Sequence, residues 1–313
     1  MITVFNLGLA GLVLVLAVWT VVTRHIFAAS VGFTTYGLLL ALVWVQLGGI
    51  DVALIEAALG TGLTSAILLG AGARLRAAGV KEDDEKPGGI TRGLAAGAAA
   101  CVTLAIAWAL LSLPDAAPSL APATAANIGS TGMDNPLTAV LMAFRPMDTL
   151  LEAIVVLFAL IGAWSLAADQ SWGGRPGPAV RHADPDGPLA FLARVLTPIG
   201  FVVAVYFFWI GADAPGGKFH GASLLAAIWL LVWVAGLTQL PPINRRWLRL
   251  ALVAGPVVFL AVGLAGIVAA DAFLAYPDGL AKPLIKVIEW ALLPSLGLAL
   301  ALLVAGAPQR GDT

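Results

Sequence analysis

The sequence has little charge for its length. Of its 313 residues 60% are hydrophobic and only 11% are charged, and 17 basic side chains nearly balance 18 acidic ones. So low a charge content is not that of a water-soluble domain, and the balance of signs excludes a basic surface of the kind that binds nucleic acid. The composition therefore predicts a multi-pass membrane protein.

Cysteine and histidine are also scarce. The single cysteine, Cys101, excludes an intramolecular disulfide, a four-cysteine zinc site and an iron–sulfur cluster held by this chain alone. The three histidines are too scattered along the chain to indicate haem or copper ligands. The sequence also lacks a serine-hydrolase elbow, a zinc-protease motif, a P-loop and a dinucleotide fingerprint. We therefore expect no metal, no cofactor and no enzymatic chemistry of its own.

Long apolar runs dominate what remains. A helix needs about 20 apolar residues to cross a membrane, and nine runs qualify: about 2–22, 28–48, 50–72, 93–113, 147–167, 190–211, 222–240, 247–270 and 284–306. The sequence thus predicts an all-α polytopic membrane protein. Of the 17 Lys and Arg residues, 13 lie on the side reached after odd-numbered helices, so the positive-inside rule places the N-terminus outside and the C-terminus in the cytoplasm.

Polar linkers divide the predicted helices into groups. The segments 73–92 and 168–188 are rich in charge or in Gly and Pro, and they separate three, two and four helices. The predicted modules are 1–92, 93–188 and 189–313. A third connection, 114–136, is expected to face outside without regular structure.

The acidic pair Asp51 and Glu56 lies in a long apolar stretch. An ionisable group within a span costs at least about 2.5 kcal/mol, so it survives where it pairs, faces a partner or lines a wet path. Glu56 lies about six residues into the third helix, with Asp51 near its outer entrance and Gly60 just deeper. One interpretation is a proton or sodium relay, and the other is a hydrogen bond to a partner subunit.

A second charged cluster opens the fifth helix. Arg145, Asp148 and Glu152 are spaced to share one helical face. Glu152 and Asp148 are candidates for an ion path and Arg145 for ion pairing. The structural alternative is a helix start, because Thr149-x-x-Glu152 has the form of a capping box and Pro146 suits a first helical turn.

Further candidates lie in the last four helices. In the outer turn 213–221, one His beside one Lys is no metal site, so His220 is expected to have a structural or pH-tuning role and Lys218 to act in ion pairing or in the loop itself. In the ninth helix Lys282, Lys286 and Glu289 share a face. Lys282 suits an interfacial anchor, whereas Lys286 and Glu289 can pair and are candidates for the ion path.

Three stretches resemble a known family of membrane subunits. DVALIEAALGTGLTSAILLGA resembles the DVALTEAAVGAG signature of the MbhD-like region at the C-terminal end of the large Mrp antiporter subunit, also found in membrane-bound hydrogenases. FRPMDTLLEAIVVL resembles the FRGFDTLGE signature of the MbhE-like region that follows it. The last third, with ADAPGGKFHG, is similar to the MnhB/MrpB family, whose loop usually reads APGGGF. The three modules would thus be MbhD-like, MbhE-like and MnhB-like.

The resemblance implies a subunit of a multi-subunit sodium/proton antiporter, related to the membrane arm of complex I. It places Glu56 at the acidic position of the first signature, and Arg145, Asp148 and Glu152 at the charged positions of the second. The sequence departs from the pattern at Ala143, where the family has Asp, and at Lys218, where it has Gly, so sodium specificity does not follow. The implied location is the cytoplasmic membrane of a prokaryote.

These observations lead to one main hypothesis and two rivals. In the main one, the chain packs against large antiporter-like and small membrane subunits in the lipid bilayer, and Glu56 and Asp51 belong to a path for protons and sodium or another monovalent cation at their interface. In the first rival the chain is a membrane-arm subunit of a redox-driven pump whose cofactors lie in other subunits. In the second it is a scaffold whose charges only hold partners together.

Overall fold

The computed structural model describes residues 2–77, 79, 88–113, 119–177, 184 and 186–309. Nine long helices form this described part of the chain. They are α1 (Ile2–Val22), α2 (Ile26–Gln46), α3 (Ile50–Ala77), α4 (Gly89–Ser112), α5 (Pro146–Ser165), α6 (Pro188–Ile210), α7 (Lys218–Val234), α8 (Arg246–Ala269) and α9 (Ala281–Ala305).

The predicted all-helical membrane fold is confirmed. Within the described residues, every long helix except α7 is long and apolar enough to cross a membrane, and α7 is a shorter apolar helix of 17 residues. It begins at Lys218, four residues before the predicted span 222–240. The side of the membrane on which each terminus lies stays a prediction.

The connection 114–136 is more regular than expected. Residues 114–118 lie outside the described part of the chain, but short helical segments occupy Ala121–Asn127 and Ile128–Thr131. The next helical turn begins at Pro136 because the side chain of Asn135 caps it by accepting hydrogen bonds from the backbone N–H groups of Leu137, at 2.9 Å, and Thr138, at 3.4 Å. The expectation of an irregular segment was therefore wrong.

The last helix is the centre of the packed core. α9 buries one face along most of its length, from Ile285 to Ala305, and it contacts α5, α7 and α8. Buried aromatic and aliphatic side chains from these helices and from α6, among them Phe208 and Phe259, fill the space around it. Two short strands, β1 (Arg175–Pro176) and β2 (Pro308–Gln309), pair antiparallel just beyond the end of α9.

Helix α3 is interrupted by a π-helical segment from Glu56 to Leu63. Its i→i+5 bonding brings residues five apart close to register, unlike an α-helix, and such segments are frequent at functional sites. The helix packs on α2 and, through this segment, on α7. The fold thereby places the segment that begins at Glu56 between α2 and α7, next to the core around α9.

Candidate functional site

The most deeply buried charge of the described chain is Glu289 in α9. Its side chain is 1% exposed, and its Oε2 lies 3.5 Å from Nζ of Lys286, one turn earlier in the helix. Oε2 has no hydrogen-bond partner among the described residues. A buried acidic group with an unsatisfied oxygen is costly, and such groups concentrate at functional sites.

Lys218 brings a buried cation to the same place. It is 5% exposed and is the first residue of α7. Among the residues that the structure describes, the polar contact of its Nζ is Sδ of Met142, at 3.5 Å, and a thioether is only a weak acceptor. Glu289 and Glu152 are the carboxyl groups that act on it electrostatically. The ammonium group is therefore held near two acids without a direct, short ion pair.

A small cavity lies between Lys218 and Glu289. It measures about 30 Å³ and is lined by Lys218, Glu289, Thr138, His220 and the backbone of Gly216 and Gly217, together with apolar side chains. Such a volume has room for about one or two water molecules. Lys218 and Glu289 form no direct ion pair, so a proton can move between them only through water and polar groups, and the cavity offers both.

Two neighbours hold this centre in place. Nζ of Lys286 donates hydrogen bonds to the backbone oxygens of Trp209, at 3.0 Å, and Phe208, at 3.4 Å, at the carboxyl end of α6, where a positive charge is favoured. Oη of Tyr276 donates to the backbone oxygen of Met142 at 3.0 Å. Burial, with a smaller contribution from Glu289, raises the pKa of the Tyr276 phenol, so its hydroxyl remains a donor at neutral pH.

The Asp51 carboxylate joins three parts of the chain. Its Oδ1 accepts a hydrogen bond from the backbone N–H of Gly216 at 2.8 Å, and its Oδ2 accepts one from Nδ2 of Asn135 at 3.4 Å. Asn135 also donates to the backbone oxygens of Gly211 and Ala214, at 3.1 and 3.0 Å. The start of α3, the segment around Asn135 and the loop between α6 and α7 therefore meet at this point, which we call the Asn135 junction.

His220 lies between the junction and the cavity. Its Nε2 lies 3.2 Å from the backbone oxygen of Asp51, and its ring stacks on Phe207. Its Nδ1 is buried without a hydrogen-bond partner in the described part of the chain. The loop before it passes so close to the end of α6 that a Cβ on Gly211 would overlap Cα of Gly217. Gly217 itself has φ +124°, which favours glycine.

Glu56 lies outside the cavity. It is half-buried in the π-helical segment of α3, and its carboxylate folds back over the next turn, where a Cβ on Gly60 would lie 2.7 Å from Oε1. A Cβ on Gly37 of α2 would lie 3.4 Å from the same oxygen. The two glycines therefore make the space that the carboxylate occupies.

The remaining predicted residues are nearer the surface of the chain. Arg145 and Asp148 form an exposed ion pair at 2.6 Å, and Lys282 pairs with Asp213, also at 2.6 Å. Glu152 is exposed on α5. Pro146 begins α5 as expected. The suggested capping box is wrong, because the Thr149 hydroxyl donates to the backbone oxygen of Leu141 at 2.7 Å and no side chain caps the helix.

Sequence reasoning missed two elements of the site. It placed Lys218 in a turn at the outer face and did not predict its burial, although the replacement of a family glycine by lysine was a signal that this position is unusual. It gave no weight to Asn135, whose only signal was an asparagine directly before Pro136, a typical helix start. No group of three or more acidic, His or Cys side chains suited to a metal ion occurs among the described residues.

These features define a polytopic membrane subunit with buried charges between its helices. Two family models match parts of it. The first is MbhD, a family of MBH subunits, over residues 11–77, and the second is a domain related to the MnhB subunit of the Na⁺/H⁺ antiporter, over residues 188–308. One polypeptide therefore joins a region that matches MbhD to a domain related to MnhB. No curated protein matches the sequence.

Solved structures share the fold. A chain in the structure of the Mrp complex from Dietzia sp. DQ12-45-1b matches over 97% of this chain, with a TM-score of 0.72 and 24% sequence identity, and this chain spans 35% of its length. A chain of the membrane-bound sulfane sulfur reductase (MBS), an archaeal respiratory membrane complex, matches over 69% of this chain and 97% of its own, with a TM-score of 0.53 and 22% identity.

Proposed function

We propose that the protein is a membrane subunit of a multi-subunit cation/proton antiporter of the Mrp type and contributes intramembrane carboxylates to the ion path. The family models and the Mrp fold support this assignment. The chain would work within a complex, as the Mrp chain that shares its fold does, and it spans 35% of that chain. Its partners would be large antiporter-like subunits and small membrane subunits in the cytoplasmic membrane of a prokaryote.

The buried cavity between Lys218 and Glu289 carries the mechanistic part of the proposal. Glu289 would take up and release a proton through water in the cavity, and Lys218 would accept it after its ammonium group has released its own proton toward Glu152. Because the carboxyl group of Glu289, whose Oε2 accepts no hydrogen bond within the described chain, and the weakly bound ammonium of Lys218 are both buried, their charges depend strongly on each other. Inward proton movement would then be coupled to outward movement of a monovalent cation elsewhere in the complex. Lys286 would hold the carboxyl group in position.

Asp51 and Glu56 would belong to the same path on the side of the first helices. Asp51 contacts the loop that forms one wall of the cavity, and Ile55, next to Glu56, lines the cavity itself. Asp148 and Glu152 would add charge near its entrance. The Asn135 junction keeps these elements together.

The assembled complex carrying Glu289→Gln tests the proposal. Everted membrane vesicles are energised, Na⁺ or K⁺ is added, and proton release is followed with a pH-sensitive dye. We expect the amide to lower the exchange rate by about 100-fold, as when a proton-transferring group is removed, while the complex still assembles. Asp169→Asn, an exposed acid outside the long helices, is the matched control. Normal exchange by an assembled Glu289→Gln complex would contradict the relay.

The respiratory match favours a second candidate. The chain covers nearly the whole of an MBS chain, so it would equally suit the membrane arm of a redox-driven pump. Mass spectrometry of the complex purified in mild detergent separates the two. Antiporter-type subunits alone support the antiporter, whereas iron–sulfur subunits in the same particle support the pump.

A further inference from the structure

Four hydroxyl groups form a row between α2 and α3, apart from the cavity of Lys218 and Glu289. Ser30 and Thr34 lie one turn apart on α2, and Thr61 and Ser65 lie one turn apart on α3. Ser30, Thr61 and Ser65 are buried and Thr34 is half-buried. We call these four residues the hydroxyl row.

The row has a hydrogen bond that can change partner. Oγ1 of Thr34 lies 2.6 Å from Oγ of Ser65 on the facing helix and 2.9 Å from the backbone oxygen of Ser30 on its own helix. A hydroxyl carries one hydrogen, so Thr34 donates to one of these acceptors at a time. The Ser30 hydroxyl in turn donates to the backbone oxygen of Ile26 at 2.8 Å.

Thr61 is the unexplained member of the row. Its side chain is 2% exposed, and its Oγ1 has no hydrogen-bond partner among the described residues. Other hydroxyls of the row bond to backbone oxygens one turn earlier, as Ser and Thr commonly do in membrane helices. A buried hydroxyl left unsatisfied destabilises the fold, so its presence calls for an explanation.

The geometry of Gly37 connects Thr61 to Glu56. A Cβ on Gly37 would overlap Oγ1 of Thr61 and would lie 3.4 Å from Oε1 of Glu56. The Thr61 hydroxyl and the Glu56 carboxylate therefore both face Gly37, where α2 has no side chain. They are five residues apart, and the π-helical segment Glu56–Leu63 is what brings such residues near register. Ser65 follows one ordinary turn beyond Thr61.

We propose that the hydroxyl row extends the ion path from Glu56 along the α2–α3 interface toward the Arg74 end of α3, and that it carries a small monovalent cation. This inference rests on the proposed function. Carboxylate and hydroxyl oxygens are hard ligands that suit either an alkali cation or protonated water, and hydroxyls both donate and accept hydrogen bonds. Thr61 would supply the step between Glu56 and the rest of the row, because both face Gly37.

Thr61→Val in the full complex tests the proposal, because valine keeps the shape and removes the hydroxyl. We expect the exchange rate per assembled complex in everted vesicles to fall about three- to tenfold, the value of one hydrogen bond. The melting temperature of the purified complex should rise, since an unsatisfied buried group is gone. Thr61→Ser should retain exchange. Thr35→Val is the control, because Thr35 is exposed on the facing helix α2 and its hydroxyl bonds only to the backbone oxygen of Val31 within the described chain.

The competing explanation is that the row only packs α2 against α3. It predicts that Thr61→Val and Ser65→Ala leave the exchange rate per complex unchanged, and that result would overturn the proposal. If Thr61→Val exchanges normally while Glu289→Gln loses exchange, the role of the hydroxyl row is wrong but the proposed function stands. Absence of cation/proton exchange in the wild-type complex would overturn the proposed function as well.

The same assay distinguishes the two kinds of cation. If the row carries an alkali ion, Thr61→Val raises the Na⁺ concentration needed for half-maximal exchange. If it carries protons, that concentration stays the same and the maximal rate falls. Either result supports the role of the hydroxyl row. Ser65→Ala should produce the same kind of change as Thr61→Val. The change should be smaller, because Thr34 retains the backbone oxygen of Ser30 as an acceptor.

Discussion

Glu289 and Glu56 are acidic residues in long apolar helices, yet their surroundings differ. Glu289 is buried in the core around α9, with Lys286 beside it and Lys218 across a cavity. Glu56 is half-buried where α3 is π-helical, and glycines rather than cations border it. Charge at the first site is therefore tied to the stability of the core, whereas a change of charge at the second is expected to leave the core intact.

The difference extends to whole helices. The buried face of α9 packs against three neighbouring helices. By contrast, the 24 residues of α4, all of which the structure describes, include no buried side chain, and α1 packs mainly on α2. Apolar helices that are not covered by their own chain are expected to meet lipid or partner subunits. A change near Glu56 is therefore expected to act in the assembled complex more than on the fold of this subunit.

The largest loss of stability is expected from Lys218→Met. Removing one member of a buried set of charges leaves the others uncompensated and typically costs about 3–5 kcal/mol. The melting temperature of the purified complex should fall sharply. The double variant Lys218→Met/Glu289→Gln should recover part of the loss, because it removes both charges. An unchanged melting temperature in the single variant would show that Lys218 does not balance Glu289.

A smaller loss is expected from Asn135→Ala. The variant removes a helix cap and the side-chain donor to Gly211, Ala214 and Asp51, which together should cost about 2–3 kcal/mol. The α6–α7 loop should also become more sensitive to protease. Asn127→Ala is the control, since its amide bonds within one exposed helical turn. Equal stability and equal protease sensitivity of the two variants would show that the Asn135 junction does not stabilise the fold.

A still smaller effect is expected from Lys282→Ala. Its ion pair with Asp213 is short, but both side chains are more than a third exposed, and such pairs contribute at most about 1 kcal/mol. The melting temperature should change little and exchange should remain normal. Raising the salt concentration should erase any difference. A loss as large as that of Lys218→Met would show that a partner subunit buries this pair.

The sequence predicted the class of fold well and the site only in part. Apolar runs of about 20 residues located the helices, because crossing a bilayer constrains length and composition so strongly. The pairing of Lys286 with Glu289 followed from their spacing. The burial of Lys218 did not, since it depends on how the loop at Gly217 folds against α6. The unpaired hydroxyl of Thr61 was also unforeseen, because the π-helical segment that orients it has no periodicity of its own in the sequence.

Glu56→Gln should separate function from stability most cleanly. The amide has nearly the shape of the carboxylate and fits the same space beside Gly60 and Gly37, so the melting temperature should stay close to that of the wild type. If the carboxylate transfers protons, exchange should nevertheless fall by about 100-fold. Glu56→Asp, which keeps the charge on a shorter side chain, should retain part of the rate. Gly60→Ala is a further probe, because its Cβ would displace the carboxylate without changing any charge. Full exchange by an assembled Glu56→Gln complex would assign this residue to subunit contacts and leave the path to the core around Glu289.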